Sequence, residues 1–370
     1  MAAISFPSPF PSSLVTLPPQ PRGVDFPAAG PNGWPEGEPT GADVDRLQRE
    51  VDRAFAAPNE VDSPGLGQSL ALVVVQGGMI VAERYHPEVG PGTPLISWSM
   101  AKSVTQALAG VLVRDAMLDV GAVGPQLHET WTDDRRAITL TQLLQMRSGL
   151  SWTEEYEDTE DAPLPDVLEM LFGAGVDDMA RFAAGRPLAH QPGDHFCYSS
   201  GTSNIVSALV TDLLVTRPTS AADREQAMRR FMQAELFDPL GMSSADPRFD
   251  TAGTFVGSSY LYATARDFAR FGLLYLRDGV WDSRRLLPEG WVDAARTAQA
   301  VEPDSLNWYG QHWWVYPCAH GSFRASGYEG QAVLVVPGLD LVVVRLGKTP
   351  FANGNDPLFL HLAEIISCFE

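Results

Sequence analysis

Residues 331–347 read QAVLVVPGLDLVVVRLG, two β-branched apolar runs that break at Pro337-Gly338. Such runs around a Pro-Gly turn predict a hairpin. A matching unit lies near the other end of the chain. Residues 69–85, SLALVVVQGGMIVAERY, place two apolar runs around Gly77-Gly78, and a two-residue Gly-Gly linker suits the tight turns that follow strand twist. Further strand signals, YGQHWWVY (309–316) and SFRASGY (322–328), precede the C-terminal hairpin. Between these ends the pattern is helical: TLTQLLQMRSGL (139–150), NIVSALVTDLL (204–214), REQAMRRFMQAELFDPLGM (224–242) and ATARDFARFGLLYLRDG (263–279). The last two finish in Gly turns.

Strand signals at both ends with helices between them predict an α+β fold. The expected architecture is an antiparallel β-sheet formed from both chain ends, flanked by terminal helices, with an inserted all-helical domain. The flanking helices are read at GADVDRLQREVDRAFAA (41–57), where Val44, Leu47, Val51 and Phe55 recur at helical spacing, and at DPLFLHLAEIISCF (356–369). Residues 1–42 are rich in Pro and Gly and read as an extended arm over the surface. Residues 43–115 and 305–370 would make the sheet domain, and 116–304 the helical insert.

A formal charge of −20 argues against nucleic acid or an anionic membrane as partner, since both call for a basic footprint. No apolar run reaches the length of a membrane span. The N-terminus lacks the basic and apolar regions of a signal peptide, and the three cysteines are dispersed and odd in number. A cytoplasmic chain is the expectation. Seven scattered histidines without ligand spacing imply no metal, and no motif implies a cofactor. No G-x-S-x-G elbow is present, and GKT at 347–349 lacks the earlier glycine of a phosphate loop.

Only two of the 26 basic residues are lysines, Lys102 and Lys348. Lys102 lies in ISWSMAKSVTQALAGVLV (96–113), three residues after Ser99. On a helix that spacing puts both side chains on one face, in hydrogen-bond reach. A serine nucleophile needs a neighbour to take its proton. A buried lysine can become that base, whereas arginine holds its proton. With 25 serines in the chain, a Ser-x-x-Lys arises by shuffling roughly one time in seven, so the pair needs partners. Tyr198, in HQPGDHFCYSSGTSN just before a helix start, could share those protons. In FRASGYEGQ, Gly327 is read as beginning a strand, where it would let a substrate approach the edge closely, and the amide of Tyr328 could complete an oxyanion hole with that of Ser99.

Ser99-x-x-Lys102, Tyr198-Ser-Ser about a hundred residues on, and a small-residue-Gly strand near the C-terminus together resemble the serine β-lactamase-related family. That family includes class C β-lactamases, D,D-peptidases, esterases and 6-aminohexanoate-dimer hydrolases. The resemblance runs from about residue 43 to the end. LLQMRSGLSWTEEYED and FCYSSGTSN are most similar to the 6-aminohexanoate-dimer hydrolase branch. It implies that Ser99 accepts the acyl group, Lys102 activates it, Tyr198 relays a proton to the leaving group, and the amides of Ser99 and Tyr328 hold the oxyanion. It also implies substrate contacts from Trp152, from Tyr156 as a closing loop residue, and from Ser200, Ser326 and Gly327. The acidic run Glu154–Asp161 is either a solvated loop or an attractor for an ammonium group.

Two departures bear on substrate. Ala325-Ser326-Gly327 stands where β-lactamases carry a Lys- or His-Thr-Gly, removing the expected partner of a substrate carboxylate. Tyr198-Ser199-Ser200 replaces Tyr-x-Asn. The implied function is a serine hydrolase of small linear amides or esters. Alternatives are a β-lactamase or D,D-peptidase, and a catalytically silent binding module. The expected partner is a small-molecule amide or ester. The sequence leaves oligomeric state open, a homodimer included.

Overall fold

The two hairpins meet in one sheet. In the computed structural model, which describes residues 14–57, 60, 63–154, 164–216, 219–302, 307–316, 320–350 and 356–370, helix α1 (Val44–Arg53) leads into β1 (Gln68–Gln76) and β2 (Met79–Tyr85). Gln76 pairs with Met79, so Gly77-Gly78 alone make the turn, both at positive φ (59° and 82°). That geometry is a type I′ turn, which L-residues with a Cβ resist.

The short β3 (Leu95–Ile96) is followed by a 3₁₀ turn, Trp98–Met100, and by α2 (Ala101–Arg114). Then come α3 (Leu140–Leu144), α4 (Asp166–Phe172), α5 (Met179–Ala184), α6 (Ser200–Leu213) and α7 (Ala221–Met232). A π-helical turn, Gln233–Phe237, joins α7 to α8 (Asp238–Leu240). Next follow β4 (Asp246–Pro247), β5 (Leu261–Ala263), α9 (Ala265–Leu276), β6 (Val280–Trp281), β7 (Arg284–Arg285) and α10 (Trp291–Arg296). The chain returns to the sheet through β8 (Ala300–Val301), β9 (Trp308–Tyr309), β10 (Trp314–Val315), β11 (Phe323–Gly327), β12 (Gln331–Val336) and β13 (Leu341–Lys348), and closes with α11 (Asp356–Ile366).

The strand order is β2-β1-β13-β12-β11-β10-β9-β8, antiparallel throughout. The two ends of the chain therefore pair directly, Val74 opposite Val343. Both faces of the central strands are buried, and alternation sorts their side chains. Leu72, Val74, Leu334, Val336 and Val343 join the layer under α1 and α11, with Leu47, Val51 and Ile365. Val73, Val75, Val333, Val335, Val342 and Val344 join the main core with Phe268, Phe271 and residues of α2. Gly272 lets α9 lie close on the sheet, since a Cβ there would press on Val342 and Val333. The YGQHWWVY stretch is two short strands rather than one. Its Gly310–Trp313 segment bends, and the His312 backbone sits at φ 57°.

The N-terminal arm is fastened by arginines on and beyond α9. Arg270 donates to Ala28 O and Gly30 O, Arg266 to Pro31 O, and Arg277 to Pro18 O. Trp34 is buried and donates to Gly78 O (2.9 Å), tying the arm to the β1–β2 turn. No helix of the described residues is long and apolar enough to cross a membrane.

Candidate active site

Ser99 sits in the 3₁₀ turn immediately before α2, and Lys102 in the first turn of that helix. Lys102 is almost completely buried. Its Nζ lies 3.0 Å from Ser99 Oγ, 2.9 Å from Ser200 Oγ and 3.1 Å from the Ser258 carbonyl. Three acceptors match the three protons of an ammonium. The neutral amine fits the same cage, giving two protons to Ser200 and Ser258 and offering its lone pair to the Ser99 hydroxyl. Burial pulls the Lys102 pKa down to about 8, opposed by the Glu154 carboxylate. The charged form loses hydration in the apolar interior and keeps only a part of it back from Glu154.

Tyr198 lies just ahead of α6, whose N-cap is Ser199. Its ring stacks on Trp314 (5.3 Å), meets Tyr309 edge-on (5.9 Å) and lies 4.8 Å from Lys102 Nζ. Burial, followed by the Glu154 charge, pushes its phenol well above the usual tyrosine range, while a hydrogen bond with Ser99 acts the other way. The phenol is thus protonated at neutral pH, as a proton relay needs.

The turn holding Ser99 is strained and braced. Trp98 adopts φ 44°, a left-handed conformation that costs a bulky residue on the order of 1–2 kcal/mol. Its ring packs edge-on against Tyr328 (5.7 Å) and near Tyr260 (5.9 Å), and its Nε1 donates to Glu329 Oε2 (3.3 Å). Tyr328 opens the 3₁₀ turn after β11, next to Glu329 at φ 60°. Arg345, buried under this turn, donates to the Glu329 and Gly330 carbonyls (3.0 Å each), and Gln331 Nε2 donates to Tyr328 O (3.0 Å). Gly327 ends β11 instead of beginning a strand. The chain that approaches it is its own, for a Cβ there would overlap the Ser97 carbonyl. This absent side chain sets β11 against the Ser99 turn.

These groups border a cavity of about 450 Å³. Ser99, Tyr198, Ser200, Ser326, Gly327 and Tyr328 all line it. Trp152 does not. It is buried behind the wall and donates to Glu154 Oε2 (2.6 Å). Tyr156 and the acidic run beyond Glu154 lie outside the described residues.

Glu154, Ser258 and Arg324 escaped sequence reasoning. Glu154 accepts from the Ser200 amide (2.8 Å) and from the Ser200 hydroxyl, and approaches Lys102 Nζ at 4.0 Å. The Ser258 N–H donates to Asn204 Oδ1 (3.1 Å), which fixes the residue whose carbonyl holds Lys102. No local pattern marks either residue. Arg324 had a signal: it stands two residues before Ser326, hence on the same strand face, and its Nε donates to Ser326 Oγ (3.1 Å).

A family model for beta-lactamases matches residues 51–358. The chain is 23% identical over 300 residues to the 6-aminohexanoate-dimer hydrolase of Paenarthrobacter ureafaciens, covering 76% of this chain and 72% of that protein. A Bacillus anthracis structure provisionally assigned as a 6-aminohexanoate-dimer hydrolase superposes with a TM-score of 0.71 at 21% identity, over 93% of this chain and 88% of that one. A penicillin-binding protein from Bacillus halodurans does so with a TM-score of 0.61 at 16% identity, over 87% of this chain and all of that one (100%). At these identities the superpositions speak for fold.

Proposed function

For a chain that belongs to the beta-lactamase family of serine hydrolases, we propose hydrolysis of small linear amides or esters through an acyl-enzyme on Ser99. The observation that carries this reading is Lys102, buried, with a pKa near 8, and 3.0 Å from a serine that faces a cavity. Neutral Lys102 takes the Ser99 proton as Oγ bonds to the scissile carbonyl carbon, whose π electrons move onto oxygen. The amides of Ser99 and Tyr328 stabilise that oxyanion. Collapse re-forms the carbonyl and expels the amine or alkoxide, which receives a proton by way of Tyr198. Water then adds to the acyl-enzyme as its proton passes by way of Tyr198 to the neutral Lys102 amine. The carboxylic acid leaves, and Ser99 recovers its hydrogen.

The test pairs a panel of short amides and p-nitrophenyl esters with labelling by a serine-directed phosphonate. The expected result is burst kinetics and labelling in the natural chain, both lost in Ser99→Ala. Lys102→Arg keeps the charge but cannot give up its proton, so it too should lose acylation. Parent-rate ester hydrolysis by Ser99→Ala would sink the reading.

A further inference from the structure

The Arg324 side chain lines the same cavity as Ser99. It is only 3% exposed, a rare place for a guanidinium. Its plane lies 3.9 Å from the Phe359 ring centroid. Nε donates to Ser326 Oγ (3.1 Å) and Nη2 to Asn307 Oδ1 (3.2 Å), both neutral acceptors. Nη1 has no hydrogen-bond acceptor among the described residues, and no carboxylate among them comes within ion-pair distance. A buried cation on a cavity wall, supported on two of its three nitrogens and by no carboxylate, is poised for an anionic ligand. Glu302 lines the same cavity, but its Oε2 accepts from Asn307 Nδ2 (3.0 Å), so its charge is held on the Asn307 amide that reaches Arg324.

The geometry assigns Arg324, with Ser326 and Asn307, to a subsite for a substrate carboxylate set apart from the scissile bond, which makes the preferred substrates monoanionic acyl compounds. The assignment rests on reading the Ser99 cavity as the substrate cavity. Arg324 is three residues from Gly327, about 10 Å along the strand. Reach therefore demands a spacer, and chain length becomes a selective property. The cavity wall also includes Val167, Leu171 and Phe172, which suits methylenes.

Two measurements test this. Calorimetric titration of the natural chain with linear dicarboxylates from succinate to suberate should give saturable binding with an optimum length. The corresponding diamides should bind at least about tenfold more weakly, a difference near 1.4 kcal/mol. Arg324→Met should lose the dicarboxylate signal, Arg324→Lys should keep a part of it, and Glu302→Gln should strengthen it. Absence of saturable dicarboxylate binding, or equal binding of acid and amide in the natural chain, overturns the subsite whether or not the Met variant folds. In the second measurement, the ratio of kcat/KM for mono-p-nitrophenyl esters of these acids to that for their methyl-capped counterparts should exceed about ten and fall to about one in Arg324→Met. A ratio of one in the natural chain overturns the assignment. Dicarboxylate binding without any ester turnover would keep the subsite and defeat the acyl-enzyme instead.

Discussion

Burial at the head of α2 and the carboxylate of Glu154 pull the Lys102 amine in opposite directions, and burial prevails. If Lys102 is the base, only its neutral form is competent. Below a pKa of about 8 that fraction falls tenfold for each pH unit. The expected kcat/KM profile therefore climbs through neutral pH and levels off above about 8. Glu154→Gln removes the charge that favours the ammonium while keeping a group able to accept from Ser200. Its profile should shift toward acid, a movement that a purely structural role for Glu154 would not produce. The same shift fails to appear if Lys102 supplies only positive charge. In the sequence, Ser99, Lys102 and Tyr198 were legible because their chemistry is local: a spacing, a rare residue type, a position before a helix. Glu154 was visible only as one acid in an acidic run. What singles it out is the Ser200 amide and hydroxyl, 46 residues away in the chain.

At the level of elements, the site depends on how closely β11 and the Ser99 turn approach. Gly327 permits that approach against Ser97 O. Gly327→Ala must move one of the two, separating the Ser99 and Tyr328 amides. The expected loss in kcat/KM is on the order of 100-fold, with about 1–3 kcal/mol of stability from overpacking. Thermal melts and ester kinetics read both. Gly92→Ala, where a Cβ would meet nothing within 4 Å, is the control expected to change neither. An unaffected Gly327→Ala enzyme would dissociate catalysis from this contact. The hairpins were legible because each is a local pattern closed by its own turn. The split of YGQHWWVY was not. There the His312 side chain leaves the strand direction to meet Leu144 O (2.9 Å) and Ser203 Oγ (2.9 Å), partners set by the fold.

Across the whole molecule, two buried histidines couple folding to acid. Burial lowers His312 to about 3 and His361 to about 4. In the unfolded chain both titrate near 6.5. Between those values the unfolded state binds the extra protons, so stability falls as pH drops below about 6.5. Both ring nitrogens of His361 lack a hydrogen-bond partner among the described residues, although its Nδ1 lies 3.6 Å from Glu50 Oε2. His361→Leu is expected to raise Tm more at pH 5 than at pH 8. Equal changes at both pH values would remove His361 from the acid response. The arm is a second global feature. Trp34→Ala empties a buried site and deletes the bond to Gly78 O, for an expected cost of about 3–5 kcal/mol in denaturant titrations. A cost within about 0.5 kcal/mol would show an arm that rides on the surface.

By itself the sequence determined the element types and the pairing of the two chain ends into an antiparallel sheet, and it offered Ser99, Lys102 and Tyr198 as candidates. Periodicity, turn chemistry and residue rarity act over a few neighbours and survive in a one-dimensional string. Only the tertiary structure decided that Ser258 and Ser200 hold Lys102, that Glu154 faces it, and that Arg324 reaches the same cavity. Each of those depends on desolvation and on convergence of segments 52 to more than 200 residues apart, and neither property belongs to any short stretch of chain.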